Sequence, residues 1–486
     1  MATPLPRNSV RLRDAAELAS IVGGSVVQPG GFGGASCGVC TDSREVRTGD
    51  VFVALRGEKH DAHSFVADVV KSGAHALIVS AAVTAPSYVA VVRVDDTLVA
   101  LGRLGTWATT NGPTNMKHVE HIVAITGSVG KTSTKEMCAV VLRTHPLVEV
   151  VATQGNLNNL IGVPRTLLMV GSDRTNVIVE MGMNVPGEIA KLCEIARPDI
   201  GIVTNVAPVH TEGVGSIEGV AREKGALLTS LPETGTAIYD GDEPLLAPYV
   251  AASKAKTKLG FGESQDADVR MTWRVPFAAG QTVGYRIRGR EGEDIVLDLA
   301  LLGKGAAKNA GAALALAWDL AHESGIQPAR HALASLHPEP GRLCPIAGPG
   351  NTVIIDDSYN ASPRSVINAI DTATEIARTT KGRLIAVLGD MLELGTLESE
   401  MHALVGEHIA LAGVSLFVAC GRRMRVAADE AREMGADFVL DVDDPMDAVR
   451  EVDRFLIEGD VVVIKGSRGM RMERVVEALR PRERAA

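Results

Sequence analysis

Apolar residues fall along this chain in short runs that end at polar residues or glycine, with stretches of helical spacing between them, the pattern of strands buried in parallel sheets. Near the start, runs at 51–55 and 76–79 flank a patterned segment ending at Gly73, which predicts a small α/β unit. From Thr97 a helical pattern leads into the apolar strand His121-Ile122-Val123-Ala124-Ile125-Thr126. That strand runs directly into Gly127-Ser128-Val129-Gly130-Lys131-Thr132-Ser133-Thr134 and a following helix. Further runs at 177–179 and 200–203 stop at Glu180 and at Thr204-Asn205. Ligands bind at the carboxyl ends of strands in an open parallel sheet, so these polar residues are expected at the edge that carries the glycine loop.

Between 258 and 302 the pattern changes to alternation with turn glycines, as in Val283-Gly284-Tyr285-Arg286-Ile287-Arg288, which predicts antiparallel strands at the flank. An alanine-rich helix from about 306 to 324 follows, and Pro338-Glu339-Pro340-Gly341 reads as a linker. Beyond Gly350, strands at 353–355, 384–388, 416–419 and 461–464 alternate with helical segments, as in a Rossmann-like unit. There is no internal repeat and no low-complexity tract.

Length sharpens this reading, because 486 residues exceed the roughly 250–300 at which one core stops growing. The expectation is an α/β protein of three domains, at 1–96, 97–337 and 338–486. Apolar residues make up 46% and aromatics only 3%, so the cores must be built from Ala, Val, Leu and Ile. A net charge of -10, with Lys and Arg scattered singly, offers no footprint for a nucleic-acid backbone. An acidic chain that binds phosphate must do so with backbone donors and single cations in a loop.

The first residues lack a basic stretch followed by an apolar core, so no signal peptide is read there. The uncharged stretch 76–92 is broken by Ser80, Thr84, Pro86 and Ser87 and reads as strand, loop and strand. No membrane span and a cytoplasmic location are expected. Of the six cysteines only Cys37 and Cys40 lie close together, and a single C-x-x-C without further ligands reads as structural thiols.

The chemistry concentrates in Gly127-Ser128-Val129-Gly130-Lys131-Thr132. Glycines let backbone amides face phosphate oxygens, while Lys131 and the Thr132 hydroxyl suit phosphate and magnesium. Ile125 stands where the longer P-loop has its first glycine. Taken alone, Glu180 reads as a solvated turn residue, His210 as a surface histidine and Lys224 as an exposed helical lysine. Beside a phosphate loop, Glu180 and His210 become candidate magnesium ligands. Ser362-Pro363 suits a helix start, with Ser as N-cap and Pro at the first helical position.

The Gly-x-x-Gly-Lys-Thr spacing resembles that of the Mur ligases and folylpolyglutamate synthetases. Downstream runs resemble the D-alanyl-D-alanine-adding branch of the Mur ligase family: Gly155-Asn156-Leu157-Asn158-Asn159, Glu180-Met181-Gly182, Asp356-Asp357-Ser358-Tyr359-Asn360-Ala361, Gly389-Asp390-Met391-Leu392-Glu393-Leu394-Gly395 and Lys465-Gly466-Ser467-Arg468. The Asp-Asn-Pro-Arg tetrad of the diaminopimelate- or lysine-adding enzymes has no equivalent here. The resemblance runs from about Asp42 to the last helix.

It implies an N-terminal UDP-sugar domain, a central ATPase domain with a mostly parallel sheet, and a C-terminal Rossmann-like ligase domain. It implies ATP bound by Gly127, Ser128, Val129, Gly130, Lys131, Thr132, Ser133, Asn309, Arg342 and Asp357. Thr132 and Glu180 would hold one Mg2+, and His210 would help hold a second. Lys224 matches a lysine that is often carbamylated and can then bind metal. Ser43, Arg44, Asp61, His63, Asn156, Asn159 and Asn360 would meet substrate. Lys131, Lys224, His210 and Arg342 would be catalytic. Departures are Gly305-Ala306 in place of His-Asn, Ala226 in place of an acidic residue and Ala62 in place of glycine.

The implied reaction joins D-alanyl-D-alanine to a UDP-N-acetylmuramoyl tripeptide through an acyl phosphate, a step of peptidoglycan synthesis, while the acidic, soluble composition points to a monomer. Two other readings stay open: another amide ligase of this superfamily, or a P-loop module that hydrolyses ATP without ligation.

Overall fold

The computed structural model describes residues 9–31, 33, 36–57, 60–110, 119–171, 174–207 and 215–481. Among the described residues three sheets form a mixed α/β protein. The first contains, in spatial order, Ser9–Arg11, Ser36–Cys40, Val51–Val53, Ala76–Val79, Ala90–Arg93 and Ser25–Gln28, with parallel pairing from Ser36–Cys40 to Ala90–Arg93. The third runs Cys344–Ala347, Val353–Asp357, Val461–Lys465, Leu384–Gly389, Leu416–Cys420 and Val439–Val442, parallel except at Cys344–Ala347.

The central sheet has nine strands, in the order Ile295–Leu299, Gly280–Ile287, Val269–Phe277, Thr257–Gly262, Thr236–Asp240, Ile200–Val203, Val119–Thr126, Thr175–Glu180 and Glu149–Ala152. Only the flank from Val269 onward is antiparallel. Thr257–Gly262, expected among the antiparallel strands, pairs parallel to Thr236–Asp240, because the helix Ala247–Ala252 carries the chain back across the sheet instead of a hairpin.

Burial on both faces explains the continuous apolar runs. In the central sheet Val123 and Ile125 pack into one core while Ile122 and Ala124 pack into another. In the third sheet Ala386 and Leu388 face one side, Ile385 and Val387 the other. With side chains alternating and both faces covered, a strand has no polar side to show.

The alanine-rich helix is longer than expected, Lys304–Ala334, and is broken at His322, whose φ of 45° and ψ of -136° lie outside helical space. It packs against the helix Lys131–Leu142 that follows the glycine loop, and its buried Ala310, Ala312 and Ala313 share one core with Met137 and Cys138 of that helix. Helix Pro363–Thr380 starts as expected, with Ser362 and Ser365 forming a reciprocal cap.

The sheets meet through specific bonds. Arg274 of the central sheet pairs with Glu375 of helix Pro363–Thr380, and Arg364 Nη1 of the same helix donates to the Val206 carbonyl at 3.0 Å. Arg165 lies 3.6 Å from Glu45 of the first sheet's loops.

Candidate active site

Strand Val119–Thr126 delivers the chain to Gly127 at the carboxyl edge of the central sheet. Gly127 has φ 149°, and a Cβ there would lie 1.9 Å from Thr204 Oγ1. Gly130, at φ 85°, caps the helix Lys131–Leu142 with no side-chain acceptor, and a Cβ there would lie 2.3 Å from Asn309 Nδ2. The first-turn amides of that helix thus face outward unclaimed by a cap, the arrangement that receives an anion.

The loop is held from behind. Val129 N–H donates to Asn205 Oδ1 at 3.0 Å, and the Thr204 hydroxyl and Asn205 amide both donate to the Val129 carbonyl at 2.8 Å. The Ser128 hydroxyl donates to the Ala207 carbonyl at 3.0 Å and accepts from Ala207 N–H at 2.8 Å. Thr204-Asn205 therefore shares the loop's edge and fixes its shape.

Lys131 Nζ folds onto its own loop, donating to the carbonyls of Gly127 at 2.8 Å and Ser128 at 3.3 Å. Burial lowers its pKa, opposed by the charge of Glu180 and assisted by that of Arg342. The Thr132 hydroxyl donates to Glu180 Oε2 at 2.9 Å, and Asn158 Nδ2 donates to Glu180 Oε1 at 2.9 Å. Glu180 is 3% exposed and so is no solvated turn residue. A hydroxyl and a carboxylate side by side beside a phosphate loop are hard oxygen donors of the type magnesium takes, so these residues fit that ion. Among the described residues no group of three or more His, Cys, Asp or Glu could hold a metal.

Lys224, read from sequence as exposed, is 1% exposed in helix Ile217–Thr229. Burial lowers its pKa to about 7, and the charge of Lys131 pushes the same way against Glu223, Glu180 and Glu188. His210 lies outside the described residues.

Arg342 reaches the same site from the third sheet's side. Its guanidinium lies 4.3 Å from the Tyr359 ring centroid and its Nε 3.4 Å from Glu339. The turn carrying it is tied down by Gly341 N–H to Asp356 Oδ2 at 3.0 Å and Leu343 N–H to Asp357 Oδ1 at 3.1 Å. Thr132, Ser133, Glu136, His337, Glu339 and Arg342 line one small cleft. Asp357 is buried and bonded to Lys465 Nζ at 2.5 Å; burial raises its pKa while Lys465 pulls it down. Lys465 also donates to the Asn360 carbonyl at 2.7 Å, and Asn360 is exposed.

A second group gathers at the carboxyl edge of the first sheet. Ser43 and Arg44 follow Ser36–Cys40, Asp61 and His63 follow Val51–Val53, and Ser80 follows Ala76–Val79. The Arg44 guanidinium and backbone amide hold Asp42 and lower its pKa to about 2. His63 Nδ1 meets Asp61 Oδ1 at 2.5 Å, and its Nε2 accepts from Ser80 N–H at 2.9 Å. Asp61, His63 and Ser80 resemble a nucleophilic triad in outline, but the Ser80 amide occupies the imidazole lone pair, which leaves no base for the hydroxyl.

Asn159 Oδ1 caps the helix Gly162–Leu167 by accepting from Ile161 and Gly162 N–H at 3.1 and 2.9 Å, and Asn156 is exposed nearby. No hydrogen bond or ion pair among the described residues joins Ser43, Arg44, Asp61 or His63 to the phosphate loop. Sequence reasoning missed Asn158, Thr153, Lys135 and Lys465 as members of the site's bonding network. Asn158 and Lys465 stood inside runs already singled out, whereas Lys135 and Thr153 carried no signal.

Three family models match along the chain: "Mur ligase family, catalytic domain" at 37–105, "Mur ligase middle domain" at 125–317 and "Mur ligase, glutamate ligase domain" at 341–468. UDP-N-acetylmuramoyl-tripeptide--D-alanyl-D-alanine ligase of Escherichia coli (strain K12) is 34% identical over 443 residues, 91% of this chain and 93% of that one. The crystal structure of MurF from Acinetobacter baumannii is 27% identical with a TM-score of 0.86, covering 98% of this chain and 99% of that one. MurF ligase from Thermotoga maritima in complex with ADP is 28% identical with a TM-score of 0.78, covering 91% and 96%. The matches extend over all three sheets and take in the glycine loop, the linker arginine and the Asp356–Ala361 run alike, and the chain belongs to the Mur ligase family.

Proposed function

We propose that this protein uses ATP to join D-alanyl-D-alanine to a UDP-N-acetylmuramoyl tripeptide, as the similar enzyme of Escherichia coli is named for doing. The observation that carries the reading is the single cleft lined by Thr132 and Ser133 of the phosphate loop together with Arg342 of the linker. A cation brought to the phosphate loop by another domain completes the site only when the domains are together.

Amide formation from a carboxylate is uphill in water, so the tripeptide carboxylate first takes the ATP γ-phosphoryl, giving an acyl phosphate that the dipeptide amine attacks. Open amides at the start of helix Lys131–Leu142 hold phosphate oxygens, and Lys131 leaves its two loop carbonyls to meet them. Arg342 supplies a second cation to the moving phosphoryl, the largest electrostatic demand of this chemistry. Thr132 and Glu180 would hold Mg2+, with His210 and a carbamylated Lys224 at a second site; the ion supplies charge neutralisation at the phosphates. Lys224 suits carbamylation because burial lowers the pKa of its amine to about 7, which leaves a substantial neutral fraction near that pH, and a neutral amine can add CO2 with loss of a proton. Asn309 packs on Gly130, and Asp357, at the end of its strand, accepts from Leu343 N–H next to Arg342; both would serve as contacts to nucleotide.

Residues 1–96 would bind the UDP-sugar through Ser43, Arg44, Asp61 and His63, with Asn156 and Asn159 of the central domain as further substrate contacts, and the Arg165–Glu45 pair joins the two domains. Residues 97–337 would bind ATP, and 338–486 would bring Arg342, Asp357 and Asn360. No described helix is long and apolar enough to cross a membrane.

The test is phosphate release from ATP and magnesium with a UDP-muramoyl tripeptide, with and without D-alanyl-D-alanine, followed by mass spectrometry. Pentapeptide that appears only with the dipeptide is the expected result. Phosphate release indifferent to both substrates would overturn the ligase reading in favour of a free-standing ATPase.

A further inference from the structure

Lys135 is a buried cation with no part in the reaction outlined above. It lies on the phosphate-loop helix, three residues beyond Thr132, and is 2% exposed. Its ammonium donates to the Thr153 carbonyl at 2.7 Å and pairs with Glu136 at 2.6 Å. Core packing does not call for it, since an apolar side chain of similar volume in place of a buried ion pair is often neutral or stabilising.

What the ammonium does supply is a tie between two elements that carry the Thr132–Glu180 pair. Thr153 is 1% exposed and accepts the Glu180 backbone N–H on its hydroxyl at 2.9 Å. It opens the loop that runs to Asn158, whose amide holds Glu180 Oε1. Glu180 is thus fixed at its backbone by Thr153 and at its carboxylate by Asn158 and Thr132. Lys135 clamps that assembly to the helix that carries Thr132.

We infer that Lys135 is a positioning residue that sets the Glu180 carboxylate against the Thr132 hydroxyl for a divalent cation, acting through Thr153. This rests on the reading of Thr132 and Glu180 as cation ligands. Residues that orient metal ligands typically change metal affinity by about 10–100-fold when removed.

The experiment is Mn2+ binding to the whole protein in the presence of ADP, followed by electron paramagnetic resonance, with ADP binding in the absence of metal as control. In Lys135→Met the Mn2+ affinity should fall about tenfold or more while metal-free ADP binding is unchanged, and Lys135→Arg should recover part of the loss. Thr153→Val, which removes the hydroxyl from Glu180 N–H, should lose affinity in the same direction and stands in if Lys135→Met does not fold. A folded variant that binds Mn2+ as the wild type does overturns the inference. A wild type that binds no Mn2+ with ADP overturns the cation-site reading itself, and the positioning role with it.

Discussion

The guanidinium of Arg342 lies over the ring of Tyr359, 4.3 Å from its centroid, and Arg468 approaches the same ring at 5.7 Å. Tyr359 follows a strand of the third sheet, whereas Arg342 lines the cleft shared with Thr132. One aromatic ring thus holds a cation that lines the cleft beside Thr132.

Tyr359→Leu removes a cation–π contact worth about 0.5–2 kcal/mol and leaves Arg342 free to point elsewhere. The expected outcome in steady-state kinetics is a several-fold fall in kcat with little change in KM for the muramoyl substrate. Arg342→Ala should be more severe, and an equal effect on both parameters in either variant would count against an aimed arginine.

Among the described residues Lys131 makes no ion pair and is held by two loop carbonyls. Lys131→Ala should abolish pentapeptide formation while leaving the thermal melt close to that of the wild type, because carbonyls left by the lysine can be solvated at a half-buried loop. A large fall in melting temperature would make the lysine structural first.

The depressed pKa of Lys224 has a consequence for stability with a definite sign. Its folded value, about 7, lies below the ordinary lysine value of about 10.4, so between those values the unfolded chain binds more protons and stability rises with pH. Below about pH 7 both states are protonated and the cost of the buried charge is present in full. Lys224→Met should therefore raise the melting temperature most at and below neutral pH and flatten its rise on the alkaline side, as read by melts across a pH series.

Gly130→Ala should weaken nucleotide binding more than it destabilises the fold. The position has φ 85°, and the new methyl would meet the Asn309 amide at 2.3 Å, so the loop must shift or Asn309 must leave. Titration with ADP should show at least a tenfold loss, about 1.4 kcal/mol, and unchanged affinity would mean that the loop's shape does not set the site.

Much of this was legible in the chain itself. Runs such as 121–126 and 461–464 announce strands because both of their faces are buried, and Gly127-Ser128-Val129-Gly130-Lys131-Thr132 announces a strand–loop–helix turn because glycines at positive φ are a local property. Ser362-Pro363 foretold its helix for the same reason, a cap being a matter of neighbours in sequence.

What lay beyond sequence depended on contacts between distant segments. Lys224 and Glu180 look like surface residues until the fold surrounds them, because burial is conferred by what packs on top. Strand Thr257–Gly262 reads like its antiparallel neighbours, and only the crossover before it makes it parallel. Lys135 and Thr153 carry no local signature at all; tertiary structure alone brings them within 2.7 Å of one another and ties Thr153 to Glu180. Sequence by itself determined the elements, the phosphate loop and the family resemblance, since these follow from local pattern and backbone chemistry. Tertiary structure decided which charges are desolvated and which residues hold others in place, since electrostatics and positioning depend on neighbours that the chain order does not reveal.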